Sequence, residues 1–378
     1  PASFLALVAD KLAASEEVFR ENLGSDVPFI DQAGRYLATG GGKRVRPALL
    51  LLVSRMLGHD GDAEVTYAAT IEFIHTATLV HDDIIDHAAL RRGRTTVNRL
   101  WGNHLTVLLG DWIYTTAMRM ALSHGHLEVV ERLCSATLKM VEGELLALER
   151  LGDPKLTERE YFDVIERKTA HLFAAACSIP SLIPPAHPEA GDLLAAYGRN
   201  LGICFQLVDD LLDFTAREEE LGKPVLSDLK EGKLTLPLIL LLPRVSRQEQ
   251  LKVEQVLEDR AFDRVDPREI LELVERQGTL AEVRELAQRY AGRARQALEV
   301  FGAASVLLPV VAAKRLRRIA HLRHRKFDHA FRRLHFARAV AIAIAAPRSA
   351  VRVVLASQLL PRLSFQRFLH DQTRRLPH

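Results

Sequence analysis

Three carboxylates interrupt an otherwise apolar helical stretch, IEFIHTATLVHDDIID, running from Ile71 to Asp86. On a 3.6-residue period Asp82 and Asp86 lie one turn apart on the same side, with Asp83 turned about 100° away. Two negative charges roughly 6 Å apart at an effective dielectric near 20 repel by about 3 kcal/mol, a cost that a partly buried helix seldom carries without cations. A single DDxxD is more readily the solvated end of an acidic helix. A second copy removes that balance: LVDDLLDF, Leu207 to Phe214, repeats the spacing with Asp209, Asp210 and Asp213 in the same apolar setting. Two such helices can face each other across a cavity. Six carboxylates there suit Mg²⁺, a hard cation that takes oxygen ligands and commonly shares them with substrate phosphates.

With 378 residues, 48% of them apolar, the chain has enough material for a substantial core in one large domain or two. Three cysteines, Cys134, Cys177 and Cys204, are an odd number without CxxC spacing, which argues against a disulfide framework and a zinc site. A reducing compartment is expected. No apolar run approaches the length of a membrane span, and residues 1–25 lack the basic start and apolar core of a signal peptide, so a soluble, cytoplasmic protein is expected. Charge is unevenly distributed. From Ala312 to His378 sixteen Lys and Arg face only Asp328 and Asp371, a balance of +14; taken from the whole chain's +3, this leaves −11 for residues 1–311. The acidic part holds the motifs.

Along the chain, apolar residues at helical spacing predict helices over Phe4–Leu23, Val27–Ala38, Pro47–Leu57, Ala63–His87, Asn103–His124, Leu127–Leu151, Glu158–Cys177 and Leu193–Phe214. The pattern stays helical beyond Leu238, with no strand run of useful length and no internal repeat. Between the second and third helices TGGGKRVRP, Thr39 to Pro47, joins three glycines to Lys43, Arg44 and Arg46. A free backbone with cations suits a phosphate group. It is not a P-loop, because Arg44 stands where Ser or Thr is required, and taken alone such a turn is more readily a solvated loop than a site. RRGRTT follows the first acidic cluster closely enough to fold back over metal-bound phosphate. Lys168 and Thr169 are polar residues ahead of a small apolar run, and Glu142 and Glu144 interrupt another. LGKPVLSDLKEGKLTLP, Leu221 to Pro237, is a loop that can close over the site.

In this order, GGKRVRP, IEFIHTATLVHDDIID, RRGRTT, LLGDWIY, ERKTAHLF, FQLVDDLLD and GKPVLSDLKEGKLTLP resemble the motifs of the trans-polyprenyl diphosphate synthases. The closest likeness is to the long-chain members that make octaprenyl or solanesyl diphosphate for quinones, and it extends roughly from Leu5 to Gln296. The resemblance implies an all-α fold of the isoprenoid synthase type, a single large helical bundle around a central cavity, and a homodimer. It further implies three Mg²⁺ ions shared with diphosphate. Asp82, Asp86 and Asp209 match the direct metal ligands, while Asp83, Asp210 and Asp213 act through water or orient the site. Arg91, Lys168, Thr169, Gln206, Lys223 and Lys233 match the holders of an allylic diphosphate such as farnesyl diphosphate. Lys43, Arg46, His75 and Arg92 match the clasp for isopentenyl diphosphate. No side chain is assigned as general base, since the departing pyrophosphate takes that role in the family. His81 is expected to be a hydrogen-bonded helical histidine.

Chain length is expected to depend on Ala77, Thr78 and Ile74, past which a growing tail runs back along the helix from Asp82. Short-chain relatives commonly carry an aromatic residue at positions matching Ala77 or Thr78; small residues here predict an all-trans product of octaprenyl length. Eleven residues from Asp82 to Ile71 span only about 16 Å, so the tunnel floor lies deeper. Small residues also simply permit close helix packing. A farnesyl or geranylgeranyl synthase and a non-catalytic partner subunit are the alternatives, although such subunits typically lose one acidic motif and both are intact here. A terpene cyclase would not be expected to keep GGKR and a second DDxxD. The resemblance fades after about Phe301, which divides the chain into an expected catalytic domain, 1–327, and a basic Arg/Ala-rich tail, 328–378. The tail's composition suits a disordered end, or a patch with weak affinity for a membrane surface or another polyanion. No nucleic-acid partner is expected.

Overall fold

In the computed structural model, which describes residues 4–91, 93–215 and 225–301, a short 3₁₀ turn at Phe4–Val8 leads into α1 (Ala9–Glu21) and α2 (Pro28–Ala38). The basic turn follows, then α3 (Val45–Leu57) and α4 (Ala63–Ile85). Strand formation among the described residues is confined to a hairpin, β1 (Leu90–Arg91) against β2 (Arg94–Thr95), reversed at Gly93 with φ +76°. Next come α5 (Val97–Trp101), α6 (Asn103–Leu122), α7 (Leu127–Glu149) and α8 (Glu158–Ile165). A π-helical turn, Glu166–Ala170, joins α8 to α9 (His171–Ser178), and α10 (Pro188–Thr215) is the longest helix. The chain then forms α11 (Ser227–Lys230), α12 (Leu236–Leu241), α13 (Arg247–Asp259), α14 (Pro267–Arg276) and α15 (Thr279–Ala297).

Composition explains which helices lie inside. A helix apolar on every side must be covered on every side; the consecutive Leu49, Leu50, Leu51 and Leu52 of α3 are each at most 1% exposed. α4 is nearly as deep, with Ile71, Phe73 and Ile74 fully buried. These helices, with the inner faces of α6, α7, α9 and the first half of α10, form one apolar core. A second core joins the last half of α10 to α8 and α11–α15. α10 therefore belongs to both, and it carries the second acidic cluster on the half that belongs to the second core.

Glycines set how closely the central helices approach. A Cβ at Gly198 would lie 2.4 Å from the Phe173 carbonyl oxygen, and one at Gly202 would lie 2.6 Å from Ala170 Cα. From the other side, a Cβ at Gly143 of α7 would lie 2.6 Å from the backbone nitrogen of Lys168. The π-turn is thus pressed between α7 and α10. Helical spacing predicts one continuous helix over Glu158–Cys177; the structure interrupts it because this wider turn fits between two helices at glycine distance. α10 also begins at Pro188, five residues before the expected start, with proline in its first turn, where the missing N–H costs nothing.

One face of α7 remains exposed. Leu127, Cys134, Leu138, Val141, Leu145 and Leu148 follow a heptad, with Leu127 71%, Leu138 60% and Leu145 57% exposed. Leu105, Leu108 and Leu122 of α6 are exposed as well. No described helix is long and apolar enough to cross a membrane.

Candidate active site

A cavity of about 980 Å³ opens beside the C-terminal half of α4. Its wall includes Asp82 and Asp209, one carboxylate from each acidic cluster, together with Lys43, Arg46, His75, Arg91, Lys168, Thr169 and Gln206. The two DDxxD helices therefore reach a common space. Burial pushes the Asp82 carboxyl up to about 6; Glu144 and Asp86 add repulsion, which Lys168 and Arg91 oppose. Asp83 points elsewhere: it is buried and accepts from Arg91 Nε at 2.6 Å. Burial raises its pKa too, against the pull of Arg91. Asp86 forms an ion pair with Lys233 at 3.0 Å, so the loop after the second cluster is tied to the first. Burial alone would lower Lys233, but Asp86 and Glu231 outweigh it and hold its ammonium above the ordinary value.

The second cluster divides in the same way. Asp209 lines the cavity, whereas Asp210 and Asp213 are buried and bonded to protein groups. Asp210 accepts from the hydroxyl of Tyr161 and from Gln206 Nε2 at 2.9 Å. Burial, reinforced by Asp228, pushes Asp210 up to about 7. Asp213 accepts from the Ser227 hydroxyl at 2.7 Å and from the Asp228 backbone N–H at 3.2 Å. It thereby anchors the start of α11.

The π-turn supplies the polar groups between the clusters. Lys168 pairs with Glu144 of α7, and the Thr169 hydroxyl donates to Gln206 Oε1 at 3.0 Å. A relay from Thr169 through Gln206 to Asp210 and Tyr161 so connects the turn, α10 and α8. On the far side of the loop, Gly152 N–H donates to the Gly232 carbonyl at 2.9 Å, and Arg260 donates to the Glu231 carbonyl. These bonds hold the residue next to Lys233 in place.

Of the described residues to which the resemblance gives a site or chain-length role, all except Asp83, Asp86, Asp210, Asp213, Lys233, Ala77 and Ile74 line the cavity directly; Glu144 does so too, and Glu142 does not. Thr78 is on the wall. Ala77 and Ile74 are packed in the main core beside it. Arg92, Lys223 and residues 328–378 lie outside the described residues. His81 bonds to the Val107 carbonyl at 3.1 Å and fits against Gly110, where a Cβ would meet its ring at 2.1 Å. Sequence reasoning did not identify Tyr161, Gly143 or the partner of Lys168. Glu144 had a legible signal as a charge in an apolar stretch; Tyr161 had none.

The carboxylates suit a divalent cation, since Asp82 is penalised for its charge by burial and by neighbouring acids that Lys168 and Arg91 do not fully offset. Among the described residues no three His, Cys, Asp or Glu converge closely enough to cage a metal. Such a donor set fits Mg²⁺, which binds through one or two carboxylates and completes its octahedron with water and phosphate oxygens. An apolar stretch of the wall is formed by Leu79, Ile85, Met140, Val141, Leu145, Leu148 and Phe205. It can take a hydrocarbon chain attached to a phosphate head.

Most of the chain is similar to known proteins. The family model described as polyprenyl synthetase matches residues 27–274. The octaprenyl diphosphate synthase of Escherichia coli (strain K12) is 43% identical over 295 residues, covering 78% of this chain and 91% of that protein. Among solved structures, a polyprenyl synthase from Caulobacter crescentus CB15 complexed with calcium and isoprenyl diphosphate superposes with a TM-score of 0.79 at 35% identity, covering 83% of this chain and 97% of that one. A decaprenyl diphosphate synthase from Rhodobacter capsulatus also gives 0.79 at 35% identity, covering 85% and 99%.

Proposed function

The chain belongs to the polyprenyl synthetase family as a long-chain trans-prenyltransferase, and we propose that this cavity adds isopentenyl diphosphate repeatedly to an allylic diphosphate, with Mg²⁺ held by Asp82, Asp86 and Asp209. The observation that carries the reading is the shared wall: acidic residues from both clusters, two groups of cations and an apolar surface border the same space. Calcium and isoprenyl diphosphate in the Caulobacter relative support the pairing of a divalent ion with a diphosphate.

Lys168, Arg91 and Lys233, with Lys223 from outside the described residues, hold the allylic diphosphate, and Thr169 and Gln206 orient it. Bound Mg²⁺ supplies electrostatic stabilisation of the charge that develops on the leaving pyrophosphate. Lys43, Arg46 and His75, with Arg92, hold the second diphosphate and aim its double bond at the allylic carbon. The carbon–oxygen bond of the allylic ester breaks, the alkene carbon forms the new carbon–carbon bond, and pyrophosphate takes the proton released. Asp83, Asp210 and Asp213 keep their helices and loops in register through Arg91, Tyr161 and Ser227. The apolar wall excludes water that would otherwise capture the allylic cation.

The product extends past Thr78 to about eight isoprene units, the length named for the Escherichia coli relative, which suits a quinone side chain. The catalytic unit is a homodimer that covers the exposed heptad of α7. Incubation with Mg²⁺, farnesyl diphosphate and labelled isopentenyl diphosphate, followed by product chromatography, tests the assignment. A long all-trans product is expected. Products that stop at the farnesyl or geranylgeranyl stage would instead establish a short-chain synthase, and no condensation at all would indicate a partner subunit.

A further inference from the structure

Between Lys43 and Arg46 stands a third cation, Arg44, to which the reaction just described gives no part. We infer that Arg44 is the positioning residue of the isopentenyl diphosphate clasp, setting the spacing between the basic turn and His75; the inference rests on the assignment of Lys43, Arg46 and His75 to that diphosphate. Its backbone is left-handed, φ +44° and ψ +40°, immediately before α3. A non-glycine residue seldom adopts this conformation and keeps it only where its surroundings hold it there.

Three side chains on two helices do so. The Arg44 guanidinium pairs with Glu72, a buried carboxylate of α4, and its Nε lies 3.6 Å from Glu16 of α1. Its central carbon sits 5.0 Å from the ring centroid of Phe19, also on α1. Only 13% of the side chain is exposed. Glu72 is three residues before His75 on α4, so the two side chains lie on neighbouring parts of one helix face, and both border the cavity. The ion pair therefore ties the turn carrying Lys43 and Arg46 to the helical turn carrying His75.

Loss of fold and loss of position are separable. Arg44→Met removes the charge and keeps the stem, but strands Glu72. Arg44→Met/Glu72→Leu removes both buried charges, a replacement that commonly restores stability. Steady-state kinetics with Mg²⁺, farnesyl diphosphate and isopentenyl diphosphate would be measured beside thermal denaturation. In Arg44→Met the KM for isopentenyl diphosphate is expected to rise roughly tenfold to a hundredfold, the scale of small misplacements in a binding site, while the KM for farnesyl diphosphate stays near wild type. In the double variant the melting temperature returns and the raised KM remains. The inference fails if the KM returns together with stability, or if both substrates weaken alike. Should Arg44→Met not fold, the double variant decides alone. Lys43→Ala is the reference: an unchanged KM for isopentenyl diphosphate there overturns the assignment of the turn itself, whereas a raised KM in Lys43→Ala with a normal one in the double variant overturns only the role of Arg44.

Discussion

Asp82 and Asp210 have the same chemistry and similar sequence surroundings, yet the fold treats them differently. Asp82 borders the cavity among other acids, whereas Asp210 is buried against Tyr161 and Gln206. Replacement of Asp82 or Asp209 by Ala is expected to lower turnover by orders of magnitude, because each removes a metal ligand. At Asp82 the metal-free protein should melt at the same temperature or higher, since a carboxylate penalised by burial and repulsion has gone. Near-normal turnover in either folded variant would refute the two-cluster arrangement. Asp210→Ala should behave otherwise, lowering both turnover and melting temperature by leaving the Tyr161 hydroxyl buried without its acceptor; removal of one partner of a buried hydrogen bond typically costs about 1–3 kcal/mol. Calorimetry beside kinetics distinguishes these outcomes. Thr78 provides a third residue-scale test. It lies on the cavity wall, so Thr78→Phe should shorten the product to farnesyl or geranylgeranyl length without abolishing condensation, because it narrows the tail's path and leaves the metal end unchanged. Ala77→Phe should shorten it too, by forcing a ring from the packed core toward that path. Full-length product from both variants would show that the tail takes another route.

At the scale of elements, the site depends on how tightly α7, the π-turn and α10 are stacked. Gly143→Ala would place a methyl group 2.6 Å from Lys168 N, a contact that requires backbone movement. The expected cost is about 1–3 kcal/mol of stability, with a raised KM for the allylic diphosphate because Lys168 is displaced; thermal melting and substrate-specific kinetics measure the two effects. This dependence also explains what was legible in advance. The existence and approximate limits of α1–α4, α6, α7 and α10 follow from apolar periodicity, and the acidic pairs stand out because charge on an apolar face is costly. The π-turn does not, since the residues that create it, Gly143 and Gly202, are distant in sequence and ordinary in their own helices. The same limit applies to Tyr161, whose role as donor to Asp210 arises only when α8 meets α10. Local spacing likewise shows that Asp82 and Asp86 share a helix face, but not that Asp86 will meet Lys233, which is 147 residues away.

The whole molecule leaves exposed what a single copy would be expected to bury. Leu138, Val141, Leu145 and Leu148 of α7 are between 40% and 60% exposed and recur at heptad spacing, and the last three also line the cavity. Such a contiguous apolar stripe is unusual on a monomer, and a seam of this period packs naturally against another helix. A second copy of the chain, as proposed above, would cover it and shield the apolar wall of the cavity from solvent. Leu138→Glu lies on the stripe but not on the cavity wall, so it tests association without touching the substrate path. Two negative charges brought face to face in a symmetric interface should dissociate the dimer, which light scattering after size exclusion would record as halved mass. Turnover should fall with it, since Val141, Leu145 and Leu148 would then open the hydrocarbon wall to water, and it should recover at protein concentrations that restore the dimer. An enzyme that is monomeric at every concentration and as active as the wild type would show that one copy closes its own cavity. Truncation after Lys326 is the complementary test. Every residue assigned a chemical role lies at or before Lys233, so removal of the basic tail should leave both the dimeric state and turnover per dimer unchanged; a loss of turnover with the dimer intact would place the tail within the catalytic unit.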